Sequence, residues 1–346
     1  MNDASPMTPT HSAKPRVLFF STIFPPFIAD DERLLQHHYE LSTIISSGIS
    51  ALARVVLELP RHDIAFVWFG SVYSGIIVWL ARVFHKPSII VVAGVDASKD
   101  REINYGIWLS PWKSRFVRYA FRNASCLLVV DPFLGREAIR LAEYDGKNIT
   151  YLPFGFDPLV WTGTTAAREK IVLTVASCEN EWRAKKKGVD KLIDAARALP
   201  EISFRLIGIH QQLLNRIKAD IPRNMEVIPY VPRHELAAEY ARAKVYCQPS
   251  FTEGLPNTLC EAMLSGCIPV GTIAGGIPTA IGTTGYLVEY RDQQGLVDAL
   301  KRAIEAPESD GARARERIKS TFTVERREEG LRSAIDALLH RPESQR

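Results

Sequence analysis

Pro249-Ser250-Phe251-Thr252-Glu253-Gly254-Leu255-Pro256-Asn257-Thr258-Leu259-Cys260-Glu261-Ala262 follows directly on the apolar run Val245–Gln248. The run reads as a buried strand that stops at Pro249. A loop with Gly254 and Pro256 comes next. Asn257 or Thr258 is placed to cap a helix that carries Glu261 in its second turn. One carboxylate, Glu253, therefore sits on the loop at a strand end. The other, Glu261, sits on the first turns of the following helix. The backbone N–H groups of Gly254 and Leu255, with the helix N-terminus behind them, can face an anion. Carboxylates accept hydrogen bonds from hydroxyls, and backbone donors suit phosphate oxygens.

Outward from this stretch the same alternation repeats. Apolar runs Val17–Phe20, Ile64–Phe69, Ser88–Val92 and Cys126–Val130 lie in the first half, and Ile171–Val175, Phe204–Ile207, Met225–Ile228, Val245–Gln248 and Ile268–Gly271 in the second. They are β-branched or aromatic without polar alternation, as in strands covered on both faces. Helical patterns fall between them at Val189–Ala198, Leu213–Ala219, His234–Ala241 and Asn257–Leu264. Two strand–helix series predict two doubly wound α/β domains facing a central cleft, with ligands beyond the carboxyl ends of the strands. The cluster Pro153-Phe154-Gly155-Phe156-Asp157-Pro158 marks the junction. The expected division is a disordered tail over 1–14, a first domain over 15–154, a second over 155–322, and a charged helix over 323–346 that returns to the first domain.

At 346 residues each half can bury its own core. The net charge of +4 suits an enzyme that meets phosphates or an anionic membrane surface, and no nucleic-acid motif accompanies it. The five cysteines are spread out without a C-x-x-C pair, which argues for a reducing, cytoplasmic setting and against a zinc site. Adjacent His37 and His38 on a helix point in different directions and read as surface or packing residues rather than metal ligands. The uncharged stretch Ile64–Ala81 is broken by Gly70, Ser71, Ser74 and Gly75, so it reads as strand, turn and helix rather than a membrane span. Over Trp112–Arg122, Trp112, Phe116, Tyr119 and Ala120 share one helical face, while Arg115, Arg118 and Arg122 share another. Such a helix either rests on anionic lipid or covers a core with a solvated basic side.

The opening stretch resembles the E-x7-E segment of retaining GT-B glycosyltransferases, most closely family 4. Glu261-Ala262-Met263 through Gly266-Cys267-Ile268-Pro269-Val270 resembles that family's EAMA-x-G-x-PVV. Gly275-Gly276-Ile277-Pro278 resembles GGIPE, Thr284-Gly285-Tyr286-Leu287-Val288 resembles TG-x-LV, and Lys187-Gly188-Val189-Asp190 resembles KGVD. Pro153-Phe154-Gly155-Phe156-Asp157 resembles PNGVD. All fall in the family's order over about residues 150–305. The first half departs from it: Phe24-Pro25-Pro26-Phe27-Ile28-Ala29-Asp30 lacks the glycine pair of PP-x-x-GG, and Ala93-Gly94-Val95-Asp96 lacks the histidine of HGxD.

The resemblance implies a hexosyltransferase-like enzyme of polysaccharide biosynthesis. It would move a sugar from a nucleoside-diphosphate sugar to a hydroxyl acceptor (a glycan, a lipid-linked sugar or a small molecule) with retention of configuration. It would use no metal or other cofactor, and a donor phosphate oxygen would help deprotonate the acceptor hydroxyl. Glu253 would bind donor sugar hydroxyls and Glu261 the ribose hydroxyls. Arg183 and Lys187 would stabilise the leaving diphosphate, although Lys185-Lys186-Lys187 also reads as a solvated basic loop. Tyr230 and Val231 lie where the family contacts the base. Asp96 would hold an acceptor or donor sugar hydroxyl, or else organise a turn. The expected location is cytoplasmic, either free or peripheral at the inner membrane face. A nucleotide-sugar epimerase and a non-catalytic sugar-nucleotide-binding subunit are the alternatives.

Overall fold

The computed structural model describes residues 14–163 and 167–340. The tail expected over 1–14 lies, apart from Lys14, outside the described residues, as does 341–346. Two six-stranded, all-parallel sheets organise the described residues. The first takes β1 (Arg16–Ser21), β2 (Glu40–Ile45), β3 (Ile64–Trp68), β4 (Ser88–Val92), β5 (Cys126–Val129) and β6 (Ile149–Tyr151) in the order β2-β1-β3-β4-β5-β6. The second takes β7 (Glu169–Cys178), β8 (Ser203–Ile209), β9 (Met225–Ile228), β10 (Ala243–Gln248), β11 (Ile268–Thr272) and β12 (Tyr286–Val288) in the order β12-β11-β10-β7-β8-β9.

The central strands are apolar because helices cover both faces: every residue of β3, β4, β10 and β11 is buried. The helices supply amphipathic faces. Val189–Ala198, for example, buries Val189, Leu192, Ile193, Ala195 and Ala196 at helical spacing. Ser71 and Ser74 form a capping box that starts the helix Val72–Val83, so Ile64–Ala81 is indeed strand, turn and helix. No helix among the described residues is long and apolar enough to cross a membrane. All five cysteines are buried.

In the second sheet the chain order reverses between β7 and β10, which are hydrogen-bonded neighbours. From β7 the chain winds outward through β8 and β9, and from β10 it winds the other way through β11 and β12. Loops leaving the carboxyl ends of two such strands diverge and open a crevice. Lys187 follows β7 and Glu253 follows β10, so the crevice brings them together.

The last helix, Val324–Leu339, crosses back to the first domain. Its Arg327, 2% exposed, donates to both Asp31 carboxylate oxygens at 2.9 and 2.6 Å and to the Leu152 carbonyl at 2.7 Å. The two histidines join this contact. The helix that begins at Pro26 ends at Gln36, so His37 and His38 lie beyond it rather than on it. Both imidazoles reach Glu328 Oε1, at 3.0 and 2.8 Å, where the sequence suggested divergent directions.

The helix Pro111–Asn123 also differs from expectation. Arg118 and Arg122 are not a solvated stripe. Arg118 pairs with Glu143 and donates to the Leu141 carbonyl, while Arg122 donates to the carbonyls of Ala142 and Glu143. They satisfy the open C-terminal end of the helix Pro132–Ala142. Ala120 is buried, whereas Trp112 and Phe116 are exposed.

Candidate active site

The site is assembled by two tight backbone crossings. After β7, Asn180 caps a short helix, Glu181–Lys186, by accepting from the Arg183 N–H. Gly188, at φ +69°, then reverses the chain into the helix Val189–Ala198. A Cβ there would stand 1.9 Å from the Pro249 carbonyl oxygen, so only glycine fits. That approach presses Lys187 against the loop after β10.

Glu253 is 9% exposed. Its Oε1 accepts from Lys187 Nζ at 2.6 Å, Ser250 Oγ at 2.9 Å and Gln248 Nε2 at 3.3 Å. Lys186 Nζ lies 4.0 Å from its other oxygen. Burial by itself raises the carboxyl's pKa, but Lys187, Lys186 and these hydrogen bonds outweigh it and leave the group below the ordinary glutamate value. Glu253 is thus a buried anion clasped by cations.

Lys186 was not singled out by sequence, because within Lys185-Lys186-Lys187 it has no distinguishing mark. The fold does distinguish it: its Nζ lies 4.1 Å from the centroid of the Tyr105 ring, an aromatic face contributed by the first domain. Trp182 donates from its indole to the Ile103 carbonyl, again across the cleft. Arg183 sits apart from this cluster, exposed, with Glu179 3.8 Å away.

Gly254 closes against the other domain. A Cβ on it would meet the Ala93 carbonyl oxygen at 2.3 Å, so its small size is used for close packing across the cleft. Leu255 is 4% exposed and packs into the core. The following helix, Asn257–Leu264, lacks the side-chain cap expected from Asn257 or Thr258. Its N-cap position is Pro256, and Asn257 Oδ1 has no hydrogen-bond partner among the described residues.

Glu261, 4% exposed, accepts from Arg233 Nη2 at 3.2 Å and from the Tyr240 hydroxyl at 3.4 Å. Here burial prevails over Arg233 and the hydrogen bonds, and the carboxyl titrates at about 7. Arg233 lies two residues beyond the pair Tyr230 and Val231 expected at the base. Tyr230 itself is 74% exposed at the end of the edge strand β9, and Val231 packs on the core.

Asp96 takes its turn reading. It is fully buried, and its carboxylate accepts from the N–H groups of Gly70 at 3.0 Å, Gly94 at 2.8 Å and Ala93 at 3.2 Å. With its oxygens committed to the backbone of the loops that follow β3 and β4, and with no exposed surface, it does not present a free acceptor to a substrate hydroxyl. Burial lifts its pKa to about 6 in spite of these donors.

Beside the Glu253 loop a cavity of about 530 Å³ opens between the domains. Ser98, Lys99, Tyr105 and Phe133 line it from the first domain, and Phe251, Thr252, Gly275 and Tyr290 from the second.

Known proteins resemble this chain in sequence and in fold. Residues 169–306, which carry β7 to β12 and both glutamates, match the family described as Glycosyl transferases group 1. Over this stretch the chain resembles a glycosyl transferases group 1 domain. The putative teichuronic acid biosynthesis glycosyltransferase TuaC of Bacillus subtilis is 25% identical over 267 residues, covering 72% of this chain and 65% of that protein. Trehalose synthase of Pyrococcus horikoshii is 27% identical over 191 residues, covering 49% of this chain and 45% of that protein. The matches therefore span less than two thirds of these relatives. Anabaena Alr3699/HepE, solved in complex with UDP-glucose, superposes with a TM-score of 0.75 at 15% identity, covering 94% of this chain and 100% of that one. With two doubly wound domains facing each other, the architecture is the GT-B fold.

Proposed function

We propose that this protein is a retaining glycosyltransferase that moves a sugar from a nucleoside-diphosphate sugar to a hydroxyl acceptor, without a metal. The observation that carries the reading is the convergence of Lys187 and Lys186 on the buried anion Glu253 at the switch point of the second domain. A leaving diphosphate gains negative charge in the transition state, and fixed cations stabilise that charge. A bound diphosphate would compete with Glu253 for Lys187. The ionised Glu253, still held by Ser250 and Gln248, would then accept from donor sugar hydroxyls. Glu261 would take the ribose hydroxyls, and Arg183 would add its charge from the edge. The acceptor would enter through the cavity lined by Tyr105 and Tyr290 and lose its proton to a donor phosphate oxygen. Peripheral contact with an anionic membrane belongs to the same proposal, supported by the exposed Trp79, Trp112 and Phe116.

A donor panel with and without acceptors tests the reading. Acceptor-dependent release of nucleoside diphosphate, with the product's anomeric configuration matching the donor's by NMR, is expected in the presence of a chelator. Conversion of the donor to an epimer, or binding without turnover, would overturn it. Glu253→Ala should lower kcat by about 10²-fold or more while the far-ultraviolet spectrum stays unchanged.

A further inference from the structure

The contacts of Glu261 do not end at Arg233. Arg233 opens the helix Arg233–Arg242, and while its Nη2 serves Glu261, its Nη1 lies 3.3 Å from Oδ2 of Asp30. Asp30 belongs to the helix Pro26–Gln36 of the first domain, and its other oxygen is held by Arg33 at 3.0 Å. The guanidinium lies 5.5 Å from the centroid of Trp161, a ring that is 1% exposed. One planar fork thus rests near an aromatic ring and reaches two carboxylates on opposite sides of the cleft. A lysine, with a single point charge, cannot span both at once.

We propose that Arg233 is the positioning residue of Glu261: it sets the direction and charge of that carboxylate, with Asp30 as its anchor on the opposite domain. The inference rests on reading Glu261 as the ribose-side acceptor. Two ribose hydroxyls need an ionised carboxylate, since a protonated one spends an oxygen on its own hydrogen. Burial favours the protonated form. The groups around Glu261 are Arg233 and Tyr240 from one helix, Asp30 from the first domain, Tyr246 from β10 and Cys260 on its own helix. Of these, Arg233 supplies the positive charge, and Asp30 opposes it while holding the fork in place.

The full chain with ¹³C-labelled glutamate side chains gives a direct test. The Glu261 carboxyl resonance is assigned by its loss in Glu261→Gln and followed through a pH titration. Arg233→Met should raise its midpoint by about one unit or more, and Asp30→Asn should lower it. Arg233→Lys should restore much of the shift. Calorimetry with UDP and GDP supplies the functional arm. Arg233→Met should weaken binding about tenfold near neutral pH and regain affinity at alkaline pH, with KM for the donor rising more than kcat falls. Midpoints that stay put, or that move the same way in Arg233→Met and Asp30→Asn, would overturn the proposal. If the wild-type protein binds neither nucleotide, the donor reading fails, and the carboxyl midpoints still decide the role of Arg233.

Discussion

Lys187 Nζ lies 2.6 Å from Glu253 Oε1, and the two residues, 66 apart in the chain, sit on segments that follow strands adjacent in the sheet. The contact depends on the whole second sheet being wound correctly, so it couples the fold to the chemistry. Glu253 stays charged at 9% exposure because the two lysines and the Ser250 hydroxyl around it outweigh the cost of burial. Such a pair is costly to half-remove, since the survivor remains buried without its partner.

The first prediction concerns acid. The folded-state pKa of Glu253 is lowered, so its contribution is present above the unfolded glutamate value and is lost as pH falls through the folded one. Below about pH 4.3 the wild-type melting temperature should therefore fall more steeply than that of Glu253→Gln. Scanning calorimetry across that range checks it, and parallel curves for the two proteins would contradict the assignment.

Asp96 should behave in the opposite sense. Its folded pKa of about 6 is raised, so the native state holds a proton that the unfolded chain releases at about 3.9. Stability from this group grows as pH falls from 7 toward 5. Asp96→Ala strands three backbone donors and should cost roughly 2–4 kcal/mol at neutral pH. The gap to wild type in chemical denaturation should widen at pH 5, while the donor KM of the folded variant stays within about threefold. A variant of native stability that has lost turnover would show that Asp96 serves the substrate instead.

Gly188→Ala tests the backbone crossing. The new residue must adopt a left-handed conformation at φ +69° and also displace the Pro249 carbonyl, 1.9 Å from its Cβ. A loss of about 2 kcal/mol or more is expected from the conformation and the clash together. Turnover should fall as well, though no side chain of the site is altered, because Lys187 is shifted off Glu253. Unchanged stability would mean that the loop after β10 yields easily.

The parts of this architecture that were readable in sequence are those whose burial is two-sided. β3 is apolar throughout, β4, β10 and β11 carry the apolar runs Ile89–Val92, Val245–Cys247 and Ile268–Val270, and the loops that follow the strands carry the motif residues. The three strands that were not foreseen, β2, β6 and β12, all lie at sheet edges. They are short or half-exposed, so their patterns are diluted by polar positions. Partner choice was also hidden. Arg233 is 28 residues from Glu261, Asp30 is 203 from Arg233, and neither spacing carries a local signal. Asp96 was ambiguous for a different reason: an Asp two residues after a glycine suits a turn and a substrate contact equally well, and only the backbone donors around it decide.

The exposed aromatics carry the last prediction. Trp112 is 56% exposed and Phe116 38% on the helix Pro111–Asn123, and Trp79 is 53% exposed on the adjacent helix Val72–Val83. With Trp79, Arg115 and Phe116 also lining one apolar hollow, these residues form a single patch. Arg118 and Arg122 are occupied at the end of the helix Pro132–Ala142, so the charge available to lipid comes from Lys113 and Arg115 instead. Aromatic side chains at an interface bury apolar area while basic residues meet anionic headgroups. The protein should float with vesicles that contain anionic phospholipid and not with neutral ones. Trp112→Ala with Phe116→Ala should abolish flotation, and Lys113→Gln with Arg115→Gln should weaken it several-fold at low salt. Arg118→Gln should instead lower thermal stability with little effect on flotation. Flotation indifferent to lipid charge and to both aromatics would remove the membrane from the proposed function and leave the donor site as it stands.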